Sequence, residues 1–204
     1  MNRVRMYVDG FNLYHGMRSA FGRQYHWLDL EALATNLLLP DERLDRVSYF
    51  TARVRNDLVS EQRQDTYLQA LAARCTRLTI VEGRFQQKRQ RCRSCGTDRI
   101  TYEEKETDVS IAVALVEDAS RFAYDRALVL SGDSDLCPAV RAAKRLAPGA
   151  RIVAVFPPRR VSDPLRVASD GIFWLGRDKL RRAQLPAKVP GPDGMVLERP
   201  PYWA

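Results

Sequence analysis

Residues 127–146 read ALVLSGDSDLCPAVRAAKRL. A short apolar run passes through a small polar turn into a segment with helical spacing. Ala127–Leu130 predicts a strand, and Ser131-Gly132-Asp133-Ser134-Asp135 carries turn chemistry. Pro138 suits the first turn of a helix running to Leu146. Strand, acidic turn and helix in that order form half of a βαβ unit, and the chain repeats the rhythm in both directions. Upstream, Val4–Val8 reads as a strand ending at Asp9-Gly10. A helix is expected over Leu28–Leu39, with Asp29 and Glu31 at its start and Pro40 past its end. A strand follows at Val47–Val54, then a helix from Ser60 to about Arg74, and a third strand at Leu78–Val81. Thr107 to about Ser120 predicts a helix capped by Thr107, with Asp108 in its first turn. Its apolar residues, from Val109 and Ile111 to Val116, surround nearly the whole helix, so burial on all sides is expected. Downstream, Ile152–Phe156 and Ile172–Leu175 read as strands joined by a short helix near Asp163–Ala168. The alternation predicts an α/β fold: a Rossmann-like three-layer arrangement with a mostly parallel central sheet and right-handed crossovers.

The 204 residues fit one domain. Its expected extent is residues 1–180, followed by a tail over 181–204. Five prolines fall in the last 19 residues, so the tail is expected to be irregular. Residues 82–104 break the rhythm and read as a basic insertion or protruding loop that holds Cys92 and Cys95. No apolar run approaches the roughly 20 residues of a membrane-spanning helix. The start MNRVRMYVDGFN lacks the apolar core of a signal peptide. A cytoplasmic location is expected, with the four cysteines as thiols or metal ligands.

The net charge of +8 is unevenly spread. Residues 84–105 carry +4 and residues 151–182 carry +5, leaving the remainder close to neutral. Concentrated basic stretches suit a polyanionic partner better than a merely solvated surface, although charge alone does not settle the choice. The acids sharpen the choice. Open parallel sheets bind ligands beyond the carboxyl ends of their strands. Asp9 closes the first strand, Asp133 and Asp135 follow the fourth, and Asp108 opens a helix expected to start at the same rim. Each alone is at home as a cap or turn residue. Together they would repel one another strongly unless a divalent cation compensated them. Mg²⁺ and Mn²⁺ favour carboxylates and water, and can activate water against a phosphodiester. An acidic cluster inside a basic surround describes a nuclease better than either feature alone.

Three motifs carry a resemblance. Val8-Asp9-Gly10-Phe11-Asn12-Leu13, Lys105-Glu106-Thr107-Asp108-Val109 and Leu130-Ser131-Gly132-Asp133-Ser134-Asp135-Leu136 resemble, in order and spacing, the motifs of the NYN domain family. That family is related to the PIN and flap-endonuclease-like nucleases, and the similarity extends over about residues 1–178. The resemblance implies a PIN-like fold and Mg²⁺- or Mn²⁺-dependent ribonuclease activity. It makes Asp9, Asp108 and Asp133 metal ligands, with Asp135 as a fourth acid. Asn12 lies beside the metal, and Ser131 hydrogen-bonds within the site. A homodimer also fits the resemblance.

Cys92-x-x-Cys95-Gly is half of a zinc-ribbon site, which normally has four ligands. It reads either as Zn²⁺ shared between two subunits or as a reduced pair in a basic loop. Cys75 and Cys137 are expected to pack as small apolar residues. Arg89, Arg91, Arg93 and Lys105 on the insertion, with Arg159, Arg160 and Arg166 after the strand at Ile152–Phe156, are the expected phosphate contacts. His15 and His26 are expected at the surface. Tyr14, Tyr25, Trp27 and Tyr102 divide between the core and stacking on bases, and Asp170 reads as a supporting acid or a cap. Two rivals remain. A haloacid-dehalogenase-like phosphotransferase would use Asp9 as nucleophile, but it wants a second Asp at position 11, which is Phe. A non-catalytic RNA-binding or scaffolding module would keep the fold without the chemistry.

Overall fold

In strand β1 (Asn2–Asp9), Val4, Met6 and Val8 point to one face and Arg5 and Tyr7 to the other. Both faces are covered, as expected at the centre of a parallel sheet. The computed structural model describes residues 1–54, 57–91 and 98–203; for 84–91, 98–105 and 193 the description is of the backbone.

Among the described residues the elements are β1, α1 (Gly10–Phe21), α2 (Leu30–Thr35), β2 (Glu42–Ala52), α3 (Leu58–Arg74), β3 (Leu78–Arg91) and β4 (Asp98–Lys105). They continue with α4 (Thr107–Ser120), β5 (Arg126–Leu130), α5 (Cys137–Leu146), β6 (Arg151–Phe156), α6 (Asp163–Ala168), β7 (Gly171–Trp174) and α7 (Arg177–Arg182). A hairpin of β8 (Lys188–Pro190) and β9 (Val196–Glu198) follows. The main sheet has the order β4-β3-β2-β1-β5-β6-β7, parallel throughout except for β4. The chain steps outward from β1 to β3, then crosses back through α4 to β5 on the other side of β1. Succession therefore reverses between β1 and β5. Right-handed crossovers then place α1–α3 on one face and α4–α6 on the other, and two separate apolar clusters fill those faces.

Helix α1 was not expected from the sequence, and its packing explains why. Its buried residues are Gly10, Leu13, Gly16 and Met17, so half of the inward face is bare backbone. A Cβ on Gly10 would lie 2.6 Å from the Phe50 carbonyl oxygen, and one on Gly16 would lie 2.7 Å from that of Pro158. A search for apolar spacing sees only two residues of that face. Gly10→Ala is accordingly expected to destabilise the fold by about 1–3 kcal/mol through overpacking against backbone. Urea unfolding measures this, and an unchanged midpoint would refute the close approach.

Other expectations were met with altered bounds. The helix expected over 28–39 is the single short α2, capped by Asp29 accepting from the Ala32 amide at 2.8 Å. Within 82–104, expected as a basic insertion or protruding loop, the described residues form strands. β3 leaves β2 after Gly83 and continues to Arg91, paired with β4 from Arg84↔Lys105 to Arg91↔Asp98. Backbone pairing specifies this hairpin, so it shows little apolar alternation.

α4 is buried on one face only, through Ile111, Leu115 and Ala119, whereas Val109 and Val113 are exposed. Four residues apart, those two valines share an outward stripe. Glu106, not Thr107, is the N-cap, and it adopts a left-handed backbone with φ 77°. On the inner face Asp118 accepts from Arg5 Nη1 and from the Tyr7 hydroxyl, both at 2.6 Å. This anchors α4 to β1, and burial with the Asp118 charge pushes the Tyr7 hydroxyl far above its usual range.

The C-terminal tail contains regular structure. Val189 and Leu197 join the same apolar cluster as β1 and α3. Trp27 donates its indole N–H to the Pro186 carbonyl at 2.7 Å, and the Leu185 amide donates to the Trp27 carbonyl at 2.9 Å. The prolines fall at hairpin ends and turns, where no ladder donor is needed. No described helix is long and apolar enough to cross a membrane.

Candidate active site

Asp9 ends β1 and caps α1, at the point where strand succession reverses. Its side chain is 1% exposed and is held by neutral donors. Oδ1 accepts from the Asn12 amide at 2.9 Å; Oδ2 accepts from Asn12 Nδ2 at 2.6 Å and from the Ser131 hydroxyl at 2.7 Å. Ser131, the first residue after β5, in turn accepts from the Asp133 amide at 3.0 Å. Asp133 Oδ1 accepts from the Asp135 amide at 2.9 Å and starts a 3-10 turn at Ser134–Leu136. The Gly132 amide donates to Asn12 Oδ1 at 3.4 Å, closing a ring between the ends of β1 and β5. Burial raises the pKa of Asp9 above the ordinary carboxylate value, with Asp133 adding repulsion, while the Asn12 and Ser131 bonds oppose the shift.

The structure thus joins Asp9, Asn12, Ser131 and Asp133. Asp108 lies exposed in the first turn of α4, on the same rim, because β4 ends beside the point where β3 leaves the parallel sheet. Asp135 is also exposed. Among the described residues no three His, Cys, Asp or Glu side chains are gathered as a metal site. Asp9 and Asp133 nonetheless offer what a hard cation takes: carboxylate oxygens with lone pairs to spare, around a buried anion whose bonding partners are neutral. Asp9 and Asp133 are therefore of the ligand type that Mg²⁺ or Mn²⁺ takes, and Asp108 and Asp135 lie exposed at the same rim.

Arg160 belongs to this rim. A Cβ on Gly132 would lie 2.9 Å from the Arg160 Cβ, so the arginine lies directly on the acidic turn. Burial, with the charges of Arg160 and Arg18 adding to it, lowers the pKa of His15. Arg159 is exposed with a left-handed backbone, φ 57°. Arg166 is committed to Asp163 at 3.1 Å on α6. Arg89 and Arg91 lie on β3 of the hairpin and Lys105 ends β4. Arg93, Cys92 and Cys95 lie outside the described residues, and the zinc expectation with them.

Cys75 and Cys137 are buried and free. His26 corrects the expectation of a surface residue: it is 4% exposed. Trp27 is core, Tyr14 is exposed and Tyr25 half-buried. Asp170 precedes β7, at the opposite end of the sheet from Asp9, and bonds the Ile152 amide and Lys144. It supports the fold. The sequence reading missed Arg18, Arg23 and Arg63, which line a cavity beside α1 together with Tyr14 and His26. The spacing of Tyr14 and Arg18, one turn apart, was the available signal.

Comparison with known proteins bears on this arrangement. The chain is 26% identical over 234 aligned residues to 6-hydroxy-3-succinoylpyridine 3-monooxygenase of Pseudomonas putida, covering 93% of this chain and 72% of that protein. A crystal structure of a protein of unknown function from Vibrio parahaemolyticus superposes with a TM-score of 0.59, at 18% identity, over 87% of this chain and 94% of that one. That likeness shows the fold alone. Residues 3–176 match the NYN domain, a span holding β1 to β7 and every member of the hydrogen-bonded acidic ring; the chain belongs to the NYN domain family, with its nuclease-like fold.

Proposed function

We propose that this protein is a metal-dependent ribonuclease that hydrolyses RNA phosphodiester bonds at the Asp9–Asp133 rim. The observation carrying the reading is the network Asp9–Ser131–Asp133: Ser131 holds the Asp9 carboxylate and the Asp133 backbone, and the Asp135 amide holds the Asp133 carboxylate, at the ends of β1 and β5. Asp9 and Asp133, with Asp108 and Asp135 at the rim, would hold Mg²⁺ or Mn²⁺. When bound, such an ion supplies Lewis acidity toward phosphate and an activated water. Asn12 and Ser131 hold the Asp9 carboxylate in one orientation, which a metal ligand needs from its supporting residues. Arg160, packed on the acidic turn, sits where a flanking phosphate would pass. The hairpin residues Arg89, Arg91 and Lys105, with Arg159, extend the basic track along the strand.

The phosphotransferase alternative loses ground. Asp9 is almost wholly buried and both its oxygens already accept hydrogen bonds, which suits a positioned ligand better than an attacking nucleophile. The monooxygenase relative is too distant, at 26% identity, to carry its reaction to this chain.

Removal of metal tests the proposal. Single-stranded RNA is expected to be cut by the purified chain with Mn²⁺ or Mg²⁺, to survive in excess chelator, and to be cut again when the cation is restored. RNA that stays intact with either cation, yet is bound, would leave a non-catalytic binding module in place of the enzyme.

A further inference from the structure

A cavity of about 340 Å³ lies between α1, the end of β2, α3 and Trp203 near the C-terminus. Its aromatic lining comes from Tyr14, His26, Tyr49, Tyr67 and Trp203. The Tyr14 and His26 rings are 4.8 Å apart, His26 and Trp203 5.6 Å, and Tyr67 and Trp203 5.9 Å. Three guanidinium groups, of Arg18, Arg23 and Arg63, share the lining with one carboxylate among the described residues, Asp57. Arg18 and Arg23 contact neutral groups, whereas the charge of Arg63 also acts on Asp57. Arg18 donates to the Tyr14 hydroxyl at 2.9 Å, Arg23 lies over the Tyr202 ring at 5.7 Å, and Arg63 donates to the Val59 carbonyl and the Ser60 hydroxyl.

His26 is the second, independent sign. It is 4% exposed, and neither ring nitrogen has a hydrogen-bond partner among the described residues. An imidazole buried without partners costs free energy that core packing alone does not require. Apolar residues of the same shape would fill the space at no such cost.

We infer that this cavity binds a planar aromatic ring bearing an anionic group, of mononucleotide size or smaller. Aromatic walls accept a flat ring by stacking. Guanidinium groups take a carboxylate or phosphate in charge-assisted bonds. The volume lies near the small end of ligand pockets, which run from roughly 300 to 1,000 Å³. Gly10, Phe11, Tyr14 and His15 of α1 line it, immediately after Asp9, so a ligand here would adjoin the acidic rim. The same ligand chemistry comes from two sources, an unpaired nucleotide of a longer RNA or a free aromatic acid.

Calorimetric titration of the full chain carrying Asp9→Asn, without added metal, separates this inference from the nuclease reading, because no cleavage is involved. The probes are adenosine monophosphate, nicotinate, adenosine and inorganic phosphate. One of the two aromatic anions is expected to bind at least about tenfold more tightly than adenosine or phosphate, the gain of a charge-assisted bond added to stacking. Adenosine monophosphate in the lead would identify a nucleotide site, and nicotinate in the lead a free-acid site. Arg18→Ala and Arg23→Ala, both at exposed positions, are expected to weaken binding about tenfold, and Trp203→Ala to weaken it by removing a wall. His26→Phe keeps an aromatic ring of slightly larger size and removes both ring nitrogens, so it is expected to weaken binding with the fold intact by circular dichroism. No binding of either aromatic anion at millimolar concentration, or binding indifferent to Arg18, Arg23 and Trp203, would overturn the inference.

Discussion

Asp9→Asn is expected to lower RNA cleavage by about 10²–10⁴-fold, the scale on which positioned acid–base and metal-assisted groups contribute, while leaving the protein folded. The change is nearly isosteric and removes only the charge. A neutral amide at a site that is 1% exposed avoids the cost of desolvating a carboxylate. The new NH₂ group must find an acceptor where Oδ2 now receives Asn12 Nδ2 and Ser131. Ser131 can turn its hydroxyl to accept instead of donate, and the Asn12 amide can reverse. The net effect on stability is therefore expected to stay within about 1 kcal/mol, the worth of one ordinary hydrogen bond. Single-turnover cleavage in Mn²⁺ measures the first quantity and thermal unfolding the second. Cleavage at the wild-type rate in a folded Asp9→Asn variant would remove Asp9 from the chemistry. Loss of both activity and fold would instead show that the ring binding β1 to β5 is structural first.

Asp9 and Asp133 were legible in the sequence because strand ends announce themselves: Val4–Val8 and Ala127–Leu130 are short apolar runs that stop at acidic turns. Ser131 between them was legible only as a motif residue, since no spacing rule shows that its hydroxyl links the Asp9 carboxylate, 122 residues away, to the backbone amide of Asp133. Helix α1 was invisible for a different reason. Glycines replace apolar side chains where its backbone touches Phe50 and Pro158, so packing leaves no hydrophobic period. The strands at 84–91 and 98–105 were not distinguished in the sequence, where 82–104 read as one basic insertion or protruding loop with little apolar periodicity. α4 was read as buried all round because valine at 109 and 113 carries the same apolar signal whether it faces core or solvent. His26 was the least legible. A single histidine before Trp27 gives no hint that Trp203, far along the chain, closes over it.

That burial has a measurable consequence, the second large effect expected. The His26 pKa is pushed down from its ordinary 6.5 to about 4, chiefly by loss of water around the ring and then by the charges of Arg18 and Arg23. The fold therefore favours the neutral imidazole. The stability gained from this preference is fully present above the unfolded-state pKa of 6.5. It is lost as pH falls toward the folded value, and no more is lost below it. The difference in pKa corresponds to about 3 kcal/mol. Asp57, Asp125 and Asp170, whose pKa values are lowered, lose stability in the same direction on acidification. The effect of His26 must therefore be read as a difference. Urea unfolding of wild type and His26→Phe from pH 7 to pH 4 is expected to show wild type losing about 3 kcal/mol more than the variant. Parallel curves would mean that the ring reaches water and that Trp203 does not seal it. An anion in the cavity would oppose Arg18 and Arg23, raise the His26 pKa and flatten the wild-type curve. Repeating the series with saturating adenosine monophosphate or nicotinate thus ties the pH response to the occupancy of the cavity.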